Sequence, residues 1–229
     1  MPQLTPLAPD LWTHSAPLRL LGLNIQTRLT LLRGADGGLL VHSPTPLTAA
    51  LAAEVDALGV VRHLVAPSLF HHLYLQEWAA RYPRAARWAP RALAAKRPDL
   101  NELRPLEDLG DGGRAEGWPE GLTAHLLAGA PKADEHAFVH APSGTLVLTD
   151  ALFYLPAARG LWTRLYALLN GCVAAPRQTA LFRALVRDRA AFTASMTAAL
   201  DAAPISRVSL CHSEVWEAPP GRVREALLR

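Results

Sequence analysis

Short apolar runs separated by polar turns dominate the hydrophobic pattern of the chain. Runs rich in leucine and valine, bounded by Gly, Pro, Asp or Ser, are typical of buried β-strands. Seven such runs predict strands at residues 28–33, 38–42, 62–67, 122–128, 136–141, 145–150 and 207–212. The connecting sequences GADGG and APSG carry the turn residues of hairpins, so each is predicted to join two antiparallel strands.

A helical spacing of apolar residues appears between the strand runs. In TPLTAALAAEVDALG, apolar residues from Leu47 to Leu58 repeat on one face, Thr48 can cap the helix and Gly59 can end it. Two further helices are predicted within residues 73–82 and 178–204. Hairpins that alternate with covering helices indicate an α/β layered domain, in which polar residues at the strand ends share one rim.

Composition agrees with one well-buried domain spanning residues 1–229. Half of the residues are hydrophobic and 19% are charged, with 23 basic and 20 acidic side chains giving a net charge of +3. The basic residues are scattered, so no nucleic-acid partner is expected. Cys172 and Cys211 lack CxxC spacing and no export signal is seen, which favours a reducing, cytoplasmic location.

The segment 151–176 is apolar enough to raise the question of a membrane span. It is interrupted by Pro156, Arg159, Gly160 and Arg164, whereas a span needs about 20 nearly uncharged residues. We therefore expect a helical lid-like insertion and no stable membrane insertion. A partner or membrane contact of its leucine stripe is the alternative.

Polar residues close three of the predicted strands. The pair His71 and His72 follows one strand, Asp150 closes TLVLTD and His212 closes RVSLCH. Imidazole and carboxylate groups are suitable zinc ligands, and a catalytic site needs three of them with one open position. The alternative is structural, with hydrogen-bonded histidines at a helix start and Asp150 as a turn residue. A nucleophilic pair of Cys211 with His212 is disfavoured, because adjacent strand residues face opposite sides.

The order and spacing of these motifs resemble the metallo-β-lactamase-like hydrolase superfamily, and more closely an uncharacterised bacterial branch with a degenerate metal motif. The resemblance covers most of the chain and is carried by LWTHSAPLRLLGLNIQTRLTLLR, GGLLVHSP, VRHLVAPSLFHHLYLQEWAARYP, SGTLVLTD and ISRVSLCHSEVWE. It implies a four-layer αββα sandwich of the metallo-β-lactamase type.

The resemblance also suggests which residues match the superfamily's metal motifs. PSLFHH corresponds to its His-x-His-x-Asp-His loop, so that His72 matches the last histidine and His71 the aspartate, while Pro67 and Leu69 replace the first two histidines. His42 stands where an acid is usual, and its HSP turn falls on the same predicted rim, so we expect it to line the pocket without binding an ion.

The remaining motifs of the superfamily lie in the second half of the chain. Ala130 occupies the place of a further histidine, for which Glu135 or His136 can substitute. Asp150 matches the metal-bridging acid and His212 the histidine after the last strand.

The resemblance implies a metal-dependent hydrolase with a reduced, mononuclear site and a small-molecule substrate of unknown identity. His72, Asp150 and His212 are the expected metal ligands, and His71 and Glu135 the expected catalytic residues. The expected cofactor is one divalent metal ion, zinc first and iron second. Two alternatives stay open: a degenerate member without metal that binds a small molecule or protein partner, and a mononuclear iron oxidoreductase.

Overall fold

A computed structural model describes residues 3–228 of the chain. Within these residues the strands are β1 (Thr5–Ala8), β2 (Leu11–Leu20), β3 (Leu23–Arg33), β4 (Gly38–His42), β5 (Val60–Val65), β6 (Ala86–Ala89), β7 (Leu103–Pro105), β8 (Leu122–Leu126), β9 (His136–His140), β10 (Thr145–Leu148), β11 (Arg207–Leu210) and β12 (Trp216–Glu217). The helices are α1 (Ala49–Leu58), α2 (Leu75–Arg81), α3 (Arg91–Lys96), α4 (Leu161–Leu169), α5 (Ala180–Leu185), α6 (Arg189–Asp201) and α7 (Pro220–Leu227).

The strands form two sheets that divide the chain into an N-terminal and a C-terminal half. Strands β1 to β7 form one sheet in sequence order, and the other has the order β12-β11-β10-β9-β8. The predicted hairpins are confirmed, because β3 pairs with β4 and β9 with β10 in antiparallel register. Strand β10 runs parallel to β11, with Leu148 opposite Leu210, so both strands end at the same edge.

Three apolar clusters show that the sheets and helices pack in four layers. Leu40, Trp88 and Phe138 belong to the cluster between the two sheets. A second cluster joins the outer face of the first sheet to α1, α2 and α3, and a third joins the second sheet to α5, α6 and α7. The predicted α/β sandwich is thus confirmed, and it places the ends of β4, β5, β10 and β11 around one rim.

Local sequence accounts for where the main helices begin and end. The hydroxyl of Thr48 accepts the N–H of Leu51, which caps α1 as predicted. The long helix predicted over 178–204 is wrong in its continuity, because the chain is extended at Val186 and Asp188 caps a new helix. Among residues 3–228, no helix combines the length and apolar character that crossing a bilayer requires. The role of residues 151–176 as a lid stays a prediction.

Candidate metal centre

Three side chains from the two sheets meet at the rim. His71 lies in the turn between β5 and α2, Asp150 two residues beyond β10, and His212 two residues beyond β11. Because β10 and β11 are parallel neighbours, their hydrogen-bonded ladder sets the spacing of Asp150 and His212. His71 approaches from the other sheet, and the three side chains are 5%, 16% and 6% exposed.

The facing atoms of these side chains are close enough to hold one ion. One ligand atom from each residue lies within 4.8 Å of the others. The two Nε2 atoms of His71 and His212 are 3.0 Å apart, and they lie 3.3 and 3.4 Å from the carboxylate oxygens of Asp150. Zinc bonds of about 2.1 Å in tetrahedral geometry require ligand atoms about 3.4 Å apart. The separations of the facing atoms are therefore close to those of a metal site.

Both imidazoles are held in place from behind. The Nδ1 of His212 lies 2.8 Å from the carbonyl oxygen of Gln26. Because a carbonyl only accepts, Nδ1 carries a hydrogen, and in the neutral imidazole Nε2 keeps a lone pair that can bind a metal. The Nδ1 of His71 lies 2.8 Å from the hydroxyl of Ser43, a buried residue. Metal-binding histidines typically have such partners on their second nitrogen.

Ser43 adopts an unusual backbone conformation at this position. Its φ of 52° lies in the left-handed region, which residues other than glycine seldom occupy. Its N–H donates to the carbonyl of Val65, which joins the end of β4 to the end of β5. The surrounding structure thus stabilises a strained residue whose hydroxyl contacts His71, an arrangement that is common at functional sites.

The charges in the cluster favour an ionised Asp150. Burial opposes ionisation, but the imidazoles of His71 and His212 outweigh it and hold the pKa of Asp150 far below its ordinary value. Burial also lowers the pKa of His71, against the attraction of Asp150. For His212 the hydrogen bond and charge of Asp150 overcome the effect of burial and raise the pKa. The cluster holds a negative charge with imidazoles around it, as a divalent cation requires.

His72, predicted as a metal ligand, lies outside the cluster. Its Nδ1 is 2.9 Å from the guanidinium of Arg97, which can only donate, so that the lone pair of this nitrogen is occupied. Burial, with the charges of Lys96 and Arg97, lowers the pKa of His72 to about 4. The structure thus brings His71, and not His72, to the other two predicted ligands. His71 was predicted as a catalytic residue, and it lies where a ligand would lie.

Glu135, predicted as a catalytic residue, holds the backbone that presents Asp150. Its fully buried carboxylate accepts the N–H groups of Thr149, Asp150 and Ala151 at 2.6, 3.0 and 2.9 Å. Burial, together with the charge of Asp150, raises the pKa of Glu135 to about 7. Both oxygens of the carboxylate accept backbone N–H groups, so Glu135 positions the chain at Asp150, and its catalytic role stays a prediction.

Sequence reasoning missed Ser43 and Gln26, which contact the two imidazoles. Ser43 had a weak signal in the HSP turn after β4, whereas nothing in the sequence around Gln26 indicates that its carbonyl meets a residue 186 positions away. His42 ends β4 as expected but is fully buried, with its ring 4.8 Å from that of Phe138. It packs in the interior and not in an open pocket.

Solved structures with the same fold include metallo-β-lactamases. The chain is similar to the metallo-β-lactamase from Pontibacter korlensis, with 13% identity, a TM-score of 0.65 and coverage of 98% of this chain and 97% of that one. The enzyme from Hirschia baltica gives 14% identity, a TM-score of 0.65 and coverage of 99% and 97%. The enzyme from Erythrobacter litoralis was solved with β-mercaptoethanol in its active site. It gives 17% identity, a TM-score of 0.64, and coverage of 98% of this chain and 95% of that one.

At these identities the likeness shows the fold alone. No curated protein matches the chain significantly. A family model described as "Domain of unknown function (DUF4336)" matches residues 9–170, which is more than two thirds of the sequence. The chain therefore belongs to the DUF4336 family, on a scaffold of the metallo-β-lactamase type.

Proposed function

We propose that the protein is a hydrolase that uses a single zinc ion held by His71, Asp150 and His212. The observation that carries this proposal is the convergence of two imidazole nitrogens and one carboxylate within 4.8 Å of one another. A zinc ion with one free coordination position would supply a Lewis acid and lower the pKa of water towards neutrality.

The residues of the chain have distinct roles in this proposal. Gln26 fixes the tautomer of His212 through its carbonyl, and Ser43 orients His71. Glu135 positions the backbone of Asp150, whose carboxylate balances the charge of the cation. The ring of Phe153 packs beside that of His212, with the ring centres 5.6 Å apart and the planes tilted by 31°. The side chain of Asp150 is the most exposed of the three, so a substrate reaches the cluster from its side.

The ligand set also favours a second candidate, an oxidoreductase with mononuclear iron. Two histidines and one carboxylate form the facial arrangement that iron uses in oxygen-dependent enzymes. The fold is the argument for a hydrolase, because the solved proteins to which the chain is similar are named as metallo-β-lactamases. The identity of the bound metal separates the two candidates.

Metal content of variants tests the ligand set directly. The parent protein, purified without added metal and analysed by mass spectrometry of its elements, should carry close to one equivalent of zinc. His71→Ala and His212→Ala should each weaken zinc binding on the order of 1,000-fold, because each removes one of three ligands. His72→Ala is the matched control and should keep the parent's zinc, since this histidine contacts Arg97 outside the cluster.

The activity assay should follow the same variants. Chromogenic carboxylic and phosphoric esters should be hydrolysed by the parent and the His72→Ala variant, and not by the other two. Parent protein that takes up no zinc even when zinc is added would refute the proposal in favour of a binding protein without metal. One equivalent of iron with oxygen-dependent turnover would favour the oxidoreductase.

A further inference from the structure

Helix α4 turns its apolar side towards solvent. Its buried residues are the small side chains Thr163 and Ala167, which face the protein. Five large apolar side chains of the helix are between 42% and 87% exposed: Leu161, Trp162, Leu165, Leu168 and Leu169. At 100° per residue these five positions fall within an arc of about 120°. A helix that covers a core turns its large apolar side chains inward, whereas α4 turns them outward.

The tip of the β2–β3 hairpin extends this apolar surface. The N–H of Asn24 donates to the hydroxyl of Thr163 at 2.9 Å, and a Cβ on Gly22 would lie 3.4 Å from the ring of Trp162. Leu20 and Leu21 at the tip are 44% and 73% exposed. We call the surface formed by these two leucines and the five exposed residues of α4 the apolar face.

Leu21 is an unfavourable residue for the turn in which it lies. Its φ of 50°, followed by a φ of 80° at Gly22, gives the left-handed pair of residues that Asn-Gly ordinarily supplies in tight hairpins. A leucine there costs backbone energy and leaves its side chain in solvent. The stability of the turn does not account for it, so a contact made outside the folded chain is the better explanation.

The two segments that supply the apolar face carry charge of a single sign. Residues 11–35 and 151–187, which supply the hairpin and α4, contain no Asp or Glu. Arg19, Arg159 and Arg164 are exposed beside the apolar face, and within residues 3–228 none of them has a carboxylate at ion-pair distance. Arg19 is held in register with Asn24, and Gly160 packs against the same asparagine, so these cations border the face.

The positive charge beside the apolar face distinguishes between two surfaces that could cover it, a second copy of the chain and a lipid bilayer. A second copy docked across a twofold axis would bring the same unpaired arginines towards one another, which disfavours association. A bilayer with anionic headgroups meets both features, because leucine and tryptophan side chains enter the boundary of the acyl chains while arginines contact the lipid phosphates. We propose that the apolar face docks the protein peripherally on an anionic lipid membrane, without a spanning helix.

Sedimentation with lipid vesicles tests this proposal. The protein should bind vesicles of phosphatidylcholine and phosphatidylglycerol, and bind vesicles of phosphatidylcholine alone at least about fivefold more weakly. Binding should bring a blue shift of tryptophan fluorescence that is lost in Trp162→Phe. The double variant Leu21→Asn with Trp162→Ser should lower vesicle affinity at least about tenfold, and Arg164→Gln about fivefold. High salt should weaken binding, since it screens exposed charges.

Controls separate docking from damage to the fold. Leu21→Asn suits the left-handed turn, so the double variant should stay folded, as a thermal melt followed by circular dichroism will show. Val60→Thr is the matched control, because Val60 is 68% exposed and lies at the start of β5, beside the opposite end of the β2–β3 hairpin. It should bind as the parent does.

Three outcomes would overturn the proposal: no binding to anionic vesicles, equal binding to neutral ones, or a dimer in light scattering that the double variant disrupts. The vesicle measurements require no metal and no turnover, so their result is independent of the proposed hydrolase function.

Discussion

Two neighbouring corners of the rim differ in the atoms that make their polar contacts. In the first, which we call the backbone corner, the carbonyl of Pro67 accepts the N–H of His136 and the N–H of Leu69 donates to the carbonyl of Ala133. The carboxylate of Glu135 is engaged by three backbone N–H groups there. In the second, the side-chain corner, His71, Asp150 and His212 direct ring nitrogens and carboxylate oxygens at one another.

The difference shows why equal polarity does not give equal chemistry. The backbone groups and the Glu135 carboxylate of the backbone corner satisfy one another within the fold, so these groups have no remaining capacity for a ligand. In the side-chain corner the Oδ2 of Asp150 is buried without a hydrogen-bond partner of good geometry, and it lies 3.3 Å from an imidazole nitrogen. A cation would satisfy this oxygen and both imidazoles at once. The candidate metal chemistry therefore lies in the side-chain corner.

The largest effect is expected from a substitution that disrupts the backbone corner. Glu135→Ala removes the acceptor of three buried N–H groups, so the free energy of unfolding should fall on the order of 4 kcal/mol. Zinc affinity should fall as well, because the backbone of Asp150 loses its anchor. Urea denaturation and zinc titration would measure the two effects.

Glu54 offers the matched control for this variant. Its carboxylate also accepts two backbone N–H groups, those of Gln3 and Leu4, but near the surface. Glu54→Ala should therefore have a much smaller effect on stability. Equal losses in both variants would contradict the special role assigned to the backbone corner.

A second, smaller effect concerns His42, which lies buried at the same rim and belongs to neither corner. Burial, with a contribution from His71, lowers the pKa of His42 to about 3. The unfolded chain takes up a proton near pH 6.5 and the folded chain does not, so stability is lost as pH falls from about 6.5 towards 3. Between pH 7 and pH 4 this loss should be about 3 kcal/mol.

The variant His42→Phe removes the titrating group and keeps a ring against Phe138. In metal-free protein its free energy of unfolding should depend on pH less steeply than that of the parent. Urea midpoints at several pH values would measure the difference, and identical pH profiles would show that His42 is not held neutral.

The smallest effect is expected from a substitution behind the side-chain corner. Ser43→Gly removes the hydroxyl that contacts His71 and tolerates a φ of 52° without strain. Zinc affinity should fall about 10- to 100-fold, as for other partners behind metal-binding histidines, while the fold stays intact. Competition with a zinc-binding dye would measure it. An unchanged affinity would mean that His71 needs no support from Ser43.

Much of the fold could be predicted because burial gives strands and helices distinct patterns. The run 38–42 is strand β4 residue for residue, and Thr48 caps α1 as its sequence suggests. The strand β2 was missed because Pro17 and alternating polar residues hide it. The break between α5 and α6 was missed because its cause is distant: the N–H groups of Arg187 and Asp188 both donate to the carbonyl of Gly129.

The site could be predicted by position but not by orientation. Asp150 and His212 follow strands that the hydrophobic pattern had located, and the ladder between β10 and β11 brings them together. The choice between His71 and His72 depends on the backbone of one turn, which points one ring at Asp150 and the other at Arg97. Two adjacent histidines in a sequence carry no information about which ring faces inward.

The division of the cluster between the two sheets has a mechanical consequence. His71 is supplied by the seven-stranded sheet, while Asp150 and His212 are supplied by the five-stranded one. An ion bound there would cross-link the halves of the sandwich and resist any motion that slides one sheet over the other. Occupancy of the site by an ion would then slow proteolysis and amide exchange far from the rim, along the interface between the two sheets.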